Sequence, residues 1–224
     1  RLPAYRERLG ERFALSAPVL AARLRADSRG RLVWIHAVSV GEVAAAGPLV
    51  RALLERYPDL KILLTTMTPT GAQRAAGLLG PRVQHCYVPY DLPILLRRFL
   101  HAVRPNLAVL METELWPNLI HVCQQRQIPL LLANGRLSAK SANNYHRIAR
   151  VAQQMLSALD RIAAQSQDDA DRFVYLGANE HRVTVTGSLK FMMTESADQR
   201  PVQPVFTTLK SSGRPIVIAA STRE

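Results

Sequence analysis

The feature that most constrains the fold is the regular alternation of short apolar stretches with stretches whose apolar residues have helical spacing. Each strand-like stretch is followed, after a short connection, by a helix-like one. Repeated alternation of this kind favours a parallel sheet with helices on both faces, and hence an α/β fold. The predicted strands are 32–37, 61–66, 83–88, 107–111, 130–133, 161–164 and 183–185.

The predicted helices between these strands are about 43–57, 71–79, 93–103, 116–125, 141–159 and 168–176. The arrangement predicts a Rossmann-like parallel sheet. The chain nevertheless lacks both the G-x-G-x-x-G dinucleotide motif and the G-x-x-x-x-G-K-[ST] phosphate loop, which argues against an NAD enzyme and an NTPase. In parallel sheets of this kind ligands bind outside the carboxyl ends of the strands, so we expect site residues in the loops that follow them.

The composition of the last third of the chain predicts a domain boundary. Residues 192–214 are polar and contain prolines, whereas residues 215–220 form a new apolar stretch. We therefore predict an N-terminal domain over 1–191, an interdomain linker over 192–214 and the truncated start of a second domain over 215–224. No window approaches the roughly 18–20 apolar residues of a membrane-spanning helix. The abrupt ends of the sequence lead us to expect a piece of a longer protein.

The charge of the chain predicts an anionic partner. It carries 29 Lys and Arg against 17 Asp and Glu, a net charge of +12, with basic clusters in residues 1–31 and 136–150. Nucleic acid, anionic lipid and phosphorylated substrates would all suit such a chain. Only 6% of residues are aromatic and no nucleic-acid-binding motif is present, which favours phosphate or lipid headgroups. Cys86 and Cys123 lack metal-ligand spacing and are predicted to be buried thiols.

Acidic residues follow two of the predicted strands. Residues 39–42 (SVGE) fit a capping box, in which Glu42 would bind the Ser39 amide. The same position also suits a catalytic base, because first-turn helix amides would keep the Glu42 carboxylate ionised and ready to accept a proton. Glu112 and Glu114 follow the fourth strand, where either could cap a helix or face the cleft. No His or Asp joins these acids at ligand spacing, so no metal site is predicted.

Two further strand-end segments carry polar groups. Residues 65–71 (TTMTPTG) offer hydroxyls, including that of Thr68, and amides before a helix. They form either an anion site or an ordinary turn. Arg136 follows the fifth strand, where it either grips a phosphate or carboxylate with two hydrogen bonds or lies in solvent.

Six segments, in order along the chain, resemble the signatures of the 3-deoxy-D-manno-octulosonic acid (Kdo) transferase family. They are WIHAVSVGE (34–42), TTMTPTG (65–71), PYD (89–91), METELWPNL (111–119), LANGRLS (132–138) and GSLKF (187–191). Together they cover nearly the whole chain, and six in register are far more specific than one. Two positions depart from the family pattern, Gly135 where Ala is expected and Ser188 where Asn is expected.

The resemblance implies the N-terminal, acceptor-binding half of a two-domain GT-B glycosyltransferase that inverts the anomeric centre. Such an enzyme would transfer Kdo from CMP-Kdo to the lipid A precursor (lipid IVA) in lipopolysaccharide biosynthesis, at the cytoplasmic face of the inner membrane. The implied partners are that donor, that acceptor and an anionic membrane surface. No nucleic acid, cofactor or catalytic metal is implied.

The resemblance also assigns roles to individual residues. Glu42 matches the general base of the family, and Glu114 is a second catalytic candidate positioned near it. Arg223 is placed where a loop of the second domain could meet the phosphate or carboxylate of the donor. The full set of candidate substrate-binding residues is Ser39, Gly41, Thr68, Arg136, Lys190 and Arg223.

Two alternatives stay open at this point. The first is a non-catalytic, basic α/β module that binds nucleic acid, for which binding would depend strongly on salt. The second is a GT-B enzyme that uses a UDP-sugar instead of CMP-Kdo.

Overall fold

A seven-stranded parallel sheet forms the centre of the protein. The computed structural model describes residues 3–25, 30–79 and 83–190. The sheet order is β3-β2-β1-β4-β5-β6-β7, with every neighbouring pair parallel, so the predicted parallel α/β sheet is confirmed. The strands are β1 (Leu32–His36), β2 (Lys61–Thr66), β3 (Val83–Tyr87), β4 (Leu107–Met111), β5 (Leu130–Gly135), β6 (Arg161–Ala164) and β7 (Val183–Val185).

Helices cover both faces of this sheet because both faces of its strands are apolar. One core lies under α3 (Val40–Arg56) and α4 (Pro69–Leu79). The opposite core lies under α2 (Ala17–Arg25), α5 (Pro93–Val103), α6 (Pro117–Gln125), α7 (Ala139–His146), α8 (Ala149–Ser157) and α9 (Gln167–Tyr175). Cys86 and Cys123 are buried free thiols in this second core, as predicted. The predicted linker and second-domain strand lie outside the described residues.

The helix predicted over 141–159 is two helices in the structure. It begins two residues early, at Ala139, because Ser138 caps α7, its hydroxyl accepting the Ser141 N–H at 3.1 Å. It breaks at Ile148, whose backbone leaves the helical region (φ −119°, ψ 41°). The break allows α7 and α8 to direct separate apolar faces at the core: Ala142 on α7, and Ala152, Met155 and Leu156 on α8.

The N-terminal segment, for which no helix was predicted, docks on the outer strand β3. It contains α2 and a single turn, α1 (Leu9–Arg12). The Tyr87 N–H donates to the Glu11 carboxylate at 2.8 Å, and the Arg12 guanidinium donates to the Met67 carbonyl at 2.9 Å. Arg12 is only 1% exposed, and no carboxylate pairs with it in the described ranges. Its charge instead lies over the Tyr87 ring, 4.2 Å from the centroid, in a cation–π contact.

We expect alanine to have opposite effects at two glycines. Gly30 has φ of +129°, and a Cβ there would lie 2.1 Å from the Asp59 carbonyl oxygen, whereas a Cβ at Gly77 in α4 would meet nothing within 4 Å. Gly30→Ala should therefore lower the free energy of unfolding by about 2 kcal/mol or more. Gly77→Ala should raise it by about 0.5–1 kcal/mol. Urea unfolding followed by circular dichroism measures both, and equal effects would contradict the described approach of Gly30 to Asp59.

Candidate active site

The candidate site lies at the carboxyl edge of the sheet, between β1 and β4. After β1 the chain continues to β2, on one side of the β1–β4 pair, and after β4 it continues to β5, on the other side. The connections after β1 and β4 therefore leave in opposite directions. This reversal of strand order opens a crevice in doubly wound sheets. One wall is the loop after β1, which leads into α3, and the other is residues 112–116 after β4.

Glu42, the third residue of α3, is bound through both carboxylate oxygens. The Ser39 hydroxyl donates to Oε1 and the Val38 N–H donates to Oε2, each at 2.8 Å. The predicted capping box forms only in part, because the carboxylate binds the amide of Val38 rather than that of Ser39. The return bond from the Glu42 N–H to Ser39 Oγ is long, at 3.5 Å. These contacts fix the Glu42 carboxyl group at the crevice.

Burial gives the Glu42 carboxyl group unusual proton affinity. Burial raises its pKa to about 7, the Ser39 hydrogen bond opposes the rise, and the charge of Glu114 adds to it. Burial thus opposes the predicted ionisation of Glu42, because the residue is only 7% exposed and other acids lie near it. A carboxyl group with a pKa near 7 gains and loses its proton around neutral pH, as a general base does.

Glu114 and Glu112 have different partners. The Trp116 indole N–H donates to Glu114 Oε2 at 2.7 Å. Burial raises the pKa of Glu114, and the Trp116 hydrogen bond opposes that rise. Glu112 has a left-handed backbone (φ 54°) and forms an ion pair with Lys190, 3.0 Å from Nζ to Oε1. Both acids are near enough for their charges to raise the pKa of Glu42, so the structure brings Glu42 and Glu114 together.

Asn134 ties the segment that carries Lys190 to this edge. A shift in the β5–β6 register lies beside Asn134, which has φ of 55°. Its side-chain oxygen accepts the Leu189 N–H at 3.0 Å, and its amide nitrogen lies 3.5 Å from Glu112 Oε1. Sequence analysis did not single out Asn134, although it lies within the LANGRLS segment.

The remaining predicted binding residues differ in their contacts. Thr68 caps α4: its hydroxyl accepts the Gly71 N–H at 3.1 Å and donates to the Val38 carbonyl at 3.3 Å, as in an ordinary turn. Gly41 is exposed beside Ser39. Arg136 is also exposed, and its side chain has no polar partner in the described part of the chain. Arg223 lies outside the described residues.

His36 lies beneath the site and was not predicted as a site residue. It is fully buried at the end of β1, with Nδ1 3.0 Å from Thr65 Oγ1. Its ring packs edge-to-face on that of Trp116, with centroids 4.9 Å apart. The signals in the sequence were its position at the end of an apolar strand and its place within the WIHAVSVGE segment. Among residues 3–25, 30–79 and 83–190, no group of three or more His, Cys, Asp or Glu could hold a metal ion.

The raised pKa of Glu42 predicts a pH-dependent effect on stability. Because the folded-state pKa is about 7 and the ordinary value 4.5, the folded state binds this proton more tightly than the unfolded chain does. The resulting stabilisation is complete below pH 4.5 and is lost as the pH rises through 7. Glu42→Gln cannot ionise, so between about pH 5 and pH 8 it should gain about 1–3 kcal/mol of unfolding free energy relative to wild type.

Urea unfolding at the two pH values measures this difference. Glu55→Gln, on the exposed part of α3, is the matched control for removing a carboxylate from this helix. A Glu42→Gln difference that is the same at both pH values would contradict the raised pKa.

Comparison with known proteins identifies relatives across nearly the whole chain. Residues 7–193 match the family described as 3-deoxy-D-manno-octulosonic-acid transferase (kdotransferase). The 3-deoxy-D-manno-octulosonic acid transferase of Haemophilus influenzae is 43% identical over 98% of this chain and 50% of its own length. The Bordetella pertussis protein of the same name is 39% identical over 97% of this chain and 51% of its own length. The chain thus spans about half the length of these relatives.

Solved structures share the fold at low sequence identity. A UDP-N-acetylglucosamine 2-epimerase superposes with a TM-score of 0.60 at 13% identity, over 81% of this chain and 55% of the epimerase. The Neisseria meningitidis UDP-GlcNAc 2-epimerase gives 0.57 at 12% identity, over 83% and 54%. The predicted fold class, a Rossmann-like sheet forming the N-terminal half of a GT-B fold, is confirmed. With the family match over residues 7–193, these findings establish that the chain belongs to the Kdo transferase family.

Proposed function

We propose that the complete protein is an inverting glycosyltransferase that moves Kdo from CMP-Kdo to the lipid A precursor (lipid IVA) in lipopolysaccharide biosynthesis. Membership of the Kdo transferase family supports the donor sugar and the acceptor class. The observation that carries the proposal is Glu42, a carboxyl group bound through both oxygens at the carboxyl edge of the sheet, with its pKa raised to about 7.

The proposed reaction is a direct displacement at the anomeric carbon of Kdo. An acceptor hydroxyl attacks that carbon from the face opposite CMP, so the new C–O bond forms as the bond to the phosphate oxygen breaks. CMP leaves with the bonding electron pair. Glu42 accepts the hydroxyl proton, the role of a general base whose pKa lies near the working pH. Glu114 would act beside it by keeping the pKa of Glu42 high.

The substrate-binding residues would act by different means. Gly41 has no side chain and is exposed, which would leave room for the acceptor beside Glu42. Thr68 would orient the start of α4 through its capping bonds. Lys190, whose side chain is 48% exposed, and Arg136 would bind anionic groups of the substrates. Arg223 stays a predicted donor contact.

The domain organisation also stays a proposal. A first domain over 1–191, a linker over 192–214 and the start of a donor-binding domain over 215–224 would make the described site one wall of an interdomain cleft. Reaction would then require both domains, because positioning of donor and acceptor supplies a large part of the rate.

We further propose contact with the anionic, cytoplasmic face of the inner membrane. No helix among the described residues is long and apolar enough to span a bilayer. The N-terminal segment and the start of α5 expose large apolar side chains, and Phe13 packs on Tyr90 between them. These exposed residues are Phe13, Leu15, Val19, Leu92 and Ile94. Apolar groups flanked by basic ones suit an anionic lipid surface.

The proposed activity is tested by mass spectrometry of lipid IVA incubated with CMP-Kdo and the full-length protein. A mass increase by Kdo supports the proposal. Thermal-shift measurements with CMP and UDP add a second test: protection by CMP supports the Kdo donor, and protection by UDP alone favours a UDP-sugar. Salt-dependent binding of nucleic acid without any nucleotide effect would favour the non-catalytic alternative.

Glu42→Gln should lower the turnover of the full-length enzyme by about 10²–10⁴-fold, because the amide cannot accept the hydroxyl proton. Initial rates of Kdo transfer measure the loss. Glu55→Gln on the same helix is the control and should retain the wild-type rate. Near-normal turnover by Glu42→Gln would leave Glu42 as a helix-start residue without a catalytic role.

Replacing the exposed cations of α7, of α8 and of the turn between them should weaken binding to anionic vesicles, since each basic residue near such a surface contributes about 1 kcal/mol. The variant changes Lys140, Arg147 and Arg150 to Gln. The control removes equal charge from exposed positions on α3 and α4, at Arg51, Arg56 and Arg74. Sedimentation with vesicles containing phosphatidylglycerol, at low and high salt, measures both. Equal binding by the two variants would contradict a membrane role for residues 136–150.

A further inference from the structure

His36 is a buried titratable side chain that the proposed transfer step does not use. None of its surface is exposed, and within the described ranges its Nε2 has no hydrogen-bond partner. Burial lowers its pKa to about 4, so the ring is neutral near pH 7. The residue therefore needs an explanation other than charge or proton transfer.

The geometry connects His36 to the site through Trp116. His36 and Thr65 are register partners on β1 and β2, and the contact between Nδ1 and Thr65 Oγ1 fixes the imidazole plane. The imidazole and indole rings meet edge-to-face, with an interplanar angle of 77°. Trp116 precedes α6 without a side-chain capping bond, and its indole N–H instead binds Glu114.

Glu114 connects this contact to Glu42. The hydrogen bond from Trp116 favours the charged form of Glu114, and a charged Glu114 repels a charged Glu42. The other titratable groups at this edge are Glu112, its ion-pair partner Lys190, and Tyr145 on α7. Within the described residues the His36 ring meets Thr65, Trp34 and Trp116 rather than any of these three groups, so Trp116 is its link to the carboxylates.

We propose that His36 is a positioning residue: its buried ring holds the Trp116 indole where the N–H binds Glu114, and so maintains that hydrogen bond on the second carboxyl group beside Glu42. The inference rests on the proposed role of Glu42 as general base. It predicts that loss of the imidazole ring and loss of the indole N–H have the same effect on the reaction.

The test compares pH–rate profiles of the full-length enzyme. His36→Leu removes the ring at similar volume, and Trp116→Phe keeps an aromatic ring but removes the N–H. In both, Glu114 should take up a proton more readily and repel Glu42 less. The acidic limb of the kcat/KM profile should then move to lower pH by roughly half a unit. The double variant should shift no further than either single one.

Two variants separate positioning from simple packing. His36→Phe restores an aromatic edge against Trp116 and should return the acidic limb toward its wild-type pH. Phe99→Leu alters a buried ring that packs on Trp34 and should lower thermal stability without moving the limb. If His36→Leu does not fold, His36→Asn removes the ring while keeping a polar atom near Thr65.

A second measurement does not depend on activity. In protein labelled with indole ¹⁵N-Trp, the Trp116 N–H resonance is identified by its loss in Trp116→Phe. His36→Leu should move this resonance away from its hydrogen-bonded position. An unmoved resonance, or an unmoved acidic limb in His36→Leu, would overturn the proposal. Absence of Kdo transfer by the wild type would instead count against the proposed function, and the indole spectrum would still test His36.

Discussion

The parallel pairing of β1 with β4 is the constraint on which the site depends. Residues 33–36 pair with 107–110, which brings two chain stretches about 70 residues apart into adjacent strands. The order of the strands reverses at this pair, because β1 connects to β2 on one side and β4 to β5 on the other. The loops that follow β1 and β4 therefore face each other across a crevice. Glu42 and Glu114 meet there for this reason alone. Local hydrogen bonds from Ser39, Val38 and Trp116 then orient the two carboxyl groups.

Much of the fold could be predicted because its signals are local. The apolar runs of β2, β4, β6 and β7 are bounded by turns and were predicted with the bounds found in the structure. The break at Ile148 was missed because no Gly or Pro marks it; it arises from the different faces that α7 and α8 bury. The order of the strands could not be predicted, because it depends on packing between segments distant in sequence.

The sequence allowed the two acidic residues of the site to be predicted, but not the direction in which their pKa values shift. Strand-end position identified Glu42 and Glu114, and the structure places both at the same edge. Helix amides alone suggested an ionised Glu42, whereas burial and neighbouring acids raise its pKa. Neither the burial of Glu42 nor its distance from the other acids can be read from the spacing of residues in the sequence. The contact between His36 and Trp116 was missed for a similar reason, since it joins the end of β1 to the loop after β4, and the sequence does not specify that these two strands pair.

The buried Arg12 connects the N-terminal segment to the crevice that holds Glu42. Its guanidinium joins the N-terminal segment to the Met67 carbonyl, and Thr68, the next residue, binds the Val38 carbonyl beside Glu42. A short series of hydrogen bonds thus runs from the exposed apolar side chains near Phe13 to the carboxyl group in the crevice. If those side chains enter a lipid layer, this series of hydrogen bonds acts as a spacer between the layer and the crevice. The depth of their insertion would then set the height of Glu42 above the headgroups.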